Sequence, residues 1–289
     1  MSAKARTVFY AAGAVLAVTG ITFTGMQLAM QWGELEPALL GSGFFLMTSA
    51  CAIIYALASV PLALAWGHLL HHFGSHVPLA VAVGVYGITV PAKYIPGNIF
   101  HLAGRQATGM ARGIDGWSLA RASFYELLLI CLTGFFCSAL MLTRFFPGAS
   151  LMTATAFFVS SAGCLSVAIG KFLGQRVLYA FLEQLAFLVC SAAIFVALIV
   201  FVSGNSSLDP TQASEIGGAF ILAWTIGLLT PGAPAGAGVR EVVLLASLGG
   251  IVGDGDLLLA VVLSRFVTVA GDIVFFLLAA LLGKQETEM

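Results

Sequence analysis

The 289 residues are 60% hydrophobic with a mean hydropathy of +1.03, and only 9% are charged, against roughly 25% in an ordinary soluble domain. That excludes a soluble globular domain and places the chain in a membrane. A net charge of -1 gives no reason to expect a nucleic-acid partner, and no long basic tail marks a polybasic lipid anchor. Charge-free runs at 7–33, 37–92, 145–170 and 184–208 hold 27, 56, 26 and 25 residues. Each reaches the ~20 residues a helix needs to cross hydrocarbon, and none alternates as a β-barrel strand would. In chain order, full crossings are predicted at about 8–30, 40–67, 119–142, 151–170, 177–202 and 257–282. The first follows Lys4 and Arg6 but is longer than a signal-peptide core of roughly 7 to 15 residues, so a retained helix is expected. Two further apolar stretches, 78–90 and 216–230, are short for a span and run into Pro-Gly-rich sequence. Cys51, Cys131, Cys137, Cys164 and Cys190 all fall in apolar runs without pairing or metal-type spacing, and read as small core residues.

Orientation follows from where Lys and Arg collect, because cytoplasmic loops hold the positive charge. With the N-terminus inside, Glu34 and Glu36 fall outside and His68 to His76 inside. If 78–113 dips into the membrane and returns to the same side, Arg112, Arg121, Lys171, Arg176 and Lys284 come out cytoplasmic. Asp209, Glu215, Asp254 and Asp256 then face outside, with Arg144 the one loop cation there. Both termini are expected in the cytoplasm of a cell-membrane protein.

The two interruptions match each other. "PGNIFHLAGR" reads Pro96-Gly97, seven residues, Arg105; "PGAPAGAGVR" reads Pro231-Gly232, seven residues, Arg240, at an offset of 135 residues. The chain has three Pro-Gly pairs and eight arginines, so chance rarely produces the match. Under the charge-derived topology one dip opens to the cytoplasm and the other outside, an inverted repeat of the kind from which secondary transporters are built. The expected fold is therefore a single polytopic domain over 1–289, all-α and integral to the membrane. It has six full transmembrane helices plus two re-entrant broken-helix hairpins in inverted repeat, with repeat elements at about 78–142 and 216–283.

A backbone break inside a bilayer survives only against protein or a wet cavity, because lipid cannot satisfy its N–H and C=O groups. The half-helix starts at Pro96-Gly97-Asn98 and Pro231-Gly232 favour an anion. Arg105 and Arg240, about two turns further on, add fixed cations with a planar fork suited to phosphate. A kink carrying a snorkelling arginine is the plain alternative for either motif alone. Lys93 and Tyr94 read equally as an interfacial anchor or as part of the headgroup site; His101 and Glu241 complete the candidate binding set. Glu126, Glu183, Arg265 and Asp272 lie within predicted spans and line a pathway or pair internally. Arg265 and Asp272 share one helix face two turns apart, within reach of Glu126 or Arg240. Proton coupling through Glu126, Glu183 or Asp272 is a weaker alternative. His68, His71, His72 and His76 have helical spacing and read as an interfacial helix end; a pH sensor or metal face is the alternative, although zinc asks for a fuller ligand set. No metal or cofactor is expected.

"KYIPGNIFHLAGR" (Lys93 to Arg105) and "TPGAPAGAGVRE" (Thr230 to Glu241) resemble the two signatures of the lysylphosphatidylglycerol synthase transmembrane (flippase) domain family, typically K-Y-[IL]-P-G and P-G-G-x-G-x-R-E. The second departs from the pattern, with Ala233-Pro234-Ala235-Gly236 after Gly232. The resemblance implies a polytopic protein that moves lipids or lipid-linked sugars between leaflets, in cell-envelope polysaccharide or glycolipid pathways. The chain ends seven residues after the last predicted helix, so a stand-alone member without a fused aminoacyl-transferase is expected.

Together these features predict a lipid translocase for a phosphate-containing lipid or polyprenyl-phosphate-linked sugar, not an enzyme. The alternative is a non-transporting scaffold for a glycosyltransferase or envelope-assembly enzyme, docked near His68 to His76 or Lys171 to Arg176. An intramembrane enzyme is disfavoured, since no Ser-His or paired-carboxylate constellation stands out. Oligomeric state is not legible; small-residue spacings such as Gly109 to Gly113 and Gly170 to Gly174 are weak signals.

Overall fold

The computed structural model describes residues 42–95, 99–146, 148–204, 208–230 and 233–285. The expected helix at 8–30 and the residues Pro96, Gly97, Asn98, Pro231 and Gly232 lie outside the described residues. Among the described residues every regular element is helical, apart from one isolated bridge between Gly249 and Val252. The chain is an all-α integral membrane protein, and among the described residues six helical stretches are long and apolar enough to cross a membrane.

Helix α1 (Ser42–His72) carries Pro61 inside it and packs against the helices Gln175–Ser203 and Asp254–Gln285. A shorter helix, α2 (Leu79–Thr89), continues as a tight 3-10 turn, Val90–Tyr94. The next described helix is α3 (Phe100–Ala111). Asp115 then caps α4 (Gly116–Cys137) by accepting from the Ser118 N–H at 2.8 Å, which holds its carboxyl below the usual carboxylate range. The same crossing runs on through the 3-10 turn Ser138–Met141 and α5 (Leu142–Phe145). A capping box of Ser150 and Thr153 starts α6 (Leu151–Phe172). Only Ala154 and Ile169 of that helix are buried, so α6 lies at the periphery. Gly174, at φ 90, turns the chain into α7 (Gln175–Ser203), a helix buried along much of its length.

Helix α8 (Pro210–Leu229) differs from expectation. The sequence suggested a short stretch from Ile216, yet the helix spans 20 residues and qualifies as a full crossing. Pro210 suits its first turn, and the polar first turns are satisfied internally. Thr143 donates to Glu215 at 2.7 Å, and Ser214 to the Leu140 carbonyl at 3.1 Å. A carboxyl group that hydropathy counts against a span is thus hydrogen-bonded within the bundle. The 3-10 turn Pro234–Gly236, α9 (Val239–Leu248) and α10 (Asp254–Gln285) complete the chain.

Two helix hairpins organise this bundle. In the first, α3 folds back along α2, so that Gly104 faces Thr89 near the tip and Gly84 faces the Arg112 guanidinium near the base. The base sits at the C-terminal end of α1, where Gly67 packs on Leu79 and Ala82 and the Ser118 hydroxyl donates to the Phe73 carbonyl at 3.1 Å. In the second, α9 folds back along α8, with Gly227 against Arg240 near the tip. Its base lies at the other end of the bundle, where Arg144 donates to the Gly249 carbonyl at 2.8 Å. The hairpins therefore enter from opposite ends, and their tips, Val90–Tyr94 and Pro234–Gly236, touch.

Small residues permit this close packing, as membrane helix interfaces require. A Cβ on Gly87 would collide with the Ala279 Cβ of α10, whereas one on Gly84 would meet only ordinary contacts. Gly87→Ala is therefore expected to destabilise the protein by about 1–3 kcal/mol, read as a lower unfolding midpoint in detergent, while Gly84→Ala changes the midpoint little. An unchanged midpoint for Gly87→Ala would show that the first hairpin is not seated on α10.

Candidate functional site

Where the two tips meet, the bundle encloses a cavity of about 80 Å³, lined in part by Tyr55, Ser59, Tyr86, Lys93, His101, Arg105, Glu126, Trp224 and Asp272. That is several times the ~10–15 Å³ one water needs and well below the ~300–1,000 Å³ of a typical ligand pocket. The space holds water or a small anion, and anything larger requires the hairpins to part.

The charges around it are ordered into pairs. Lys93, on the first tip, lies 2.7 Å from Asp272 of α10, and the Tyr94 hydroxyl donates to the same carboxylate oxygen. Arg105 of α3 binds Glu126 of α4 through Nη1 and Oε2. The Tyr86 hydroxyl donates to the other Glu126 oxygen at 2.9 Å, and Gln184 Nε2 donates to the Glu126 backbone carbonyl at 3.1 Å. Each pair is thus a cation, a carboxylate and a tyrosine hydroxyl. Arg105 is also clamped by rings, its guanidinium 3.9 Å from the Tyr86 centroid and 5.5 Å from that of Trp66. With Arg105 at 3% and Glu126 at 5% exposure, this pair is removed from bulk solvent.

The second tip is built differently. Arg265 of α10 donates to a single Glu241 oxygen from Nε at 2.8 Å and from Nη2 at 2.7 Å, and from Nη1 to the Ala235 carbonyl at 3.0 Å. Ala235 has φ 47, in the left-handed region that glycine prefers, and Gly236 and Gly238 follow at φ 72 and 81. This run gives the departing Ala-Pro-Ala-Gly segment its sharp reversal and turns a carbonyl toward Arg265. Arg240 is left over. Its stem packs on Gly227 and Gly236, and its guanidinium lies 5.5 Å from the Trp224 ring centroid. Its Nε has no hydrogen-bond partner, and among the described residues no carboxylate lies within salt-bridge distance of it. Among the described residues around the meeting tips, Lys93, Arg105, Arg240 and Arg265 make four cations against the three carboxylates Glu126, Glu241 and Asp272. Comparison of the chain with family models, curated proteins and solved structures found no match.

The candidate residues from the sequence divide three ways. Lys93, His101, Arg105, Glu126 and Asp272 line the cavity; His101 Nδ1 is buried there without a partner. Tyr94, Arg240, Glu241 and Arg265 surround it through the contacts above. Glu183 is elsewhere: its Oε1 lies 3.4 Å from His68 Nε2, and Arg176 Nη1 lies 3.3 Å from His68 Nδ1. That cluster ties α1 to α7 near the base of the first hairpin. His71 meets the Val77 carbonyl there, and among the described residues no group of three or more His, Cys, Asp or Glu side chains is placed to hold a metal.

The expected partners also shift. Arg265 and Asp272 share a helix, but Arg265 takes Glu241 and Asp272 takes Lys93, rather than Glu126 or Arg240. The aromatic residues were the omission from the sequence reading. Tyr55, Tyr86, Trp66 and Trp224 line the site or stack on its cations. A tyrosine inside an apolar span was the available signal, because its buried hydroxyl needs a partner.

Proposed function

We propose that the protein moves an anionic, phosphate-containing amphiphile between leaflets, with the headgroup held where the hairpin tips meet and the tail left in lipid. The observation that carries this reading is Arg240, which has no carboxylate partner among the described residues and sits at the junction of two hairpins entering from opposite ends. A half-buried cation inside a membrane protein with no carboxylate beside it is costly, and a phosphate oxygen completes it with a charge-assisted hydrogen bond in the geometry a guanidinium favours. In this reading the hairpins are re-entrant, each opening to one side, and exchange of access between them carries the headgroup across. The resemblance of both tips to the signatures of the lysylphosphatidylglycerol synthase transmembrane family supports the same function.

The end that bears Arg112, Arg121, Lys171 and Arg176 is assigned to the cytoplasm, and the end with Asp209, Asp254 and Asp256 to the outside. The small cavity favours a compact phosphate headgroup over a bulky glycan at first contact. No bond is made or broken in this cycle. The scaffold alternative places its partner near His68 to His76 or Lys171 to Arg176, where His68 and Arg176 themselves are paired internally.

The test is movement of labelled lipid in proteoliposomes. Phosphatidylglycerol is expected to cross at least roughly tenfold faster than a glycosyl diacylglycerol, which has no phosphate, the yield of one ~1.5 kcal/mol charged hydrogen bond. Equal rates for the two lipids, or rates matching protein-free vesicles, would sink the reading.

A further inference from the structure

We propose that Asp272 is a proton-binding site, and that headgroup entry is coupled to uptake of one proton because the phosphate takes Lys93 away from it. This inference rests on the headgroup site proposed above.

The two cation–carboxylate pairs at the cavity differ in mobility. Arg105 is held between rings and shares Glu126 with Tyr86, with both members almost fully buried. Nothing there can swap partners without unpacking two helices. In the other pair the exposure is lopsided: the Lys93 side chain is 25% exposed and that of Asp272 only 2%. Both line the cavity, and the cation is the more accessible of the two. Lys93 also sits on the 3-10 turn at the hairpin tip rather than in a long helix, and an ammonium on a flexible four-carbon stem changes partners easily.

A phosphate monoanion entering the cavity competes for that ammonium. Once the Lys93 Nζ turns to a phosphate oxygen, Asp272 remains fixed on α10 with the Tyr94 hydroxyl as its remaining donor. A carboxylate cannot stay ionised in a buried site on one neutral hydrogen bond. It takes a proton from cavity water, and the tyrosine hydroxyl can turn to accept from the new O–H. The charges balance: one anion and one proton enter, Lys93 stays protonated, and the net charge around the tips is unchanged.

The groups facing this cluster are Lys93 and Tyr94 from the first tip, Tyr55 from α1, Arg240 from α9 and Arg265 from α10 itself, with His101 and Arg105 from α3 across the cavity. Neither arginine from the second half can replace Lys93. Arg265 is committed to Glu241 and the Ala235 carbonyl, and Arg240 is occupied by the same phosphate. His101 is the rival proton acceptor, since its Nδ1 is unpartnered in the same cavity.

The experiment uses the full-length protein in detergent with dihexanoyl phosphatidylglycerol, whose phosphodiester does not titrate near neutral pH. Proton uptake is followed with an indicator dye in weak buffer, and binding is measured across a pH series. The expected result is one proton taken up per lipid bound, with affinity weakening about tenfold for each unit of pH rise. Asp272→Asn should bind with affinity independent of pH and no proton uptake, and Lys93→Met should bind weakly, also without uptake. His101→Gln should keep the one-proton stoichiometry whatever it does to affinity. Binding without uptake by the unaltered protein, or uptake that survives in Asp272→Asn and disappears in His101→Gln, overturns the proton site and leaves the headgroup site standing. Absence of binding overturns both.

Discussion

Replacing Arg240 by alanine is expected to slow phosphatidylglycerol movement roughly 10- to 100-fold, the loss of one hydrogen bond to a charged group, while the protein still folds. The second half of that expectation follows from the absence of a carboxylate partner among the described residues. Truncation strands no buried anion; it removes packing of the stem against Gly227 and Gly236 and the contact with the Trp224 ring. Arg240→Lys keeps the charge without the planar fork and should fall between the two. Arg105→Ala is the poorer test, because it leaves Glu126 buried and unpaired and so confounds transport with folding. Normal transport by a well-folded Arg240→Ala protein would remove the central argument for the headgroup site.

Glu126→Ala should have the largest effect on stability, about 3–5 kcal/mol, the usual result of breaking a buried ion pair from one side. It leaves the Arg105 guanidinium at 3% exposure without its anion and takes the acceptor from the Tyr86 hydroxyl. Thermal or denaturant unfolding in detergent reads the change. Removing both charges together, as Glu126→Leu with Arg105→Met, should recover most of the loss, since similar-sized apolar groups often replace a buried pair at little cost. A loss below about 1 kcal/mol for Glu126→Ala would mean that water reaches the pair in the folded protein.

The bundle was legible in the sequence because lipid imposes length and apolarity on a span, and those survive without knowledge of neighbours. Helices near 40–67, 151–170 and 177–202 appear with ends shifted by a few residues. Helix α8 was read as short because its first turns carry Thr211, Gln212, Ser214 and Glu215, and their satisfaction by Thr143 and Leu140 depends on another helix. The equal Pro-Gly-to-Arg spacing picked out both arginines at the tips, but it did not separate their fates. Here the sequence held an unused signal. Glu126 stands 21 residues after Arg105, and the same step from Arg240 reaches Val261. One repeat carries its own counter-charge and the other has an apolar residue in its place. Pairings such as Lys93 with Asp272 depend on how distant helices pack and leave no periodic trace.

The surplus cation has an electrical consequence. Moving one elementary charge through a membrane potential is worth about 2.3 kcal/mol per 100 mV, enough to bias either stroke of a carrier. Counted by formal charge among the described residues, four cations against three carboxylates leave +1 on the empty site. A bound monoanion alone would make the loaded site neutral, so voltage would act on the empty return stroke and drive a net flux. With Asp272 protonated in the loaded state, both forms carry +1 and the electrical work cancels over a full cycle. Clamping the potential would then change the rates of individual steps, while the gradients of proton and lipid set the direction.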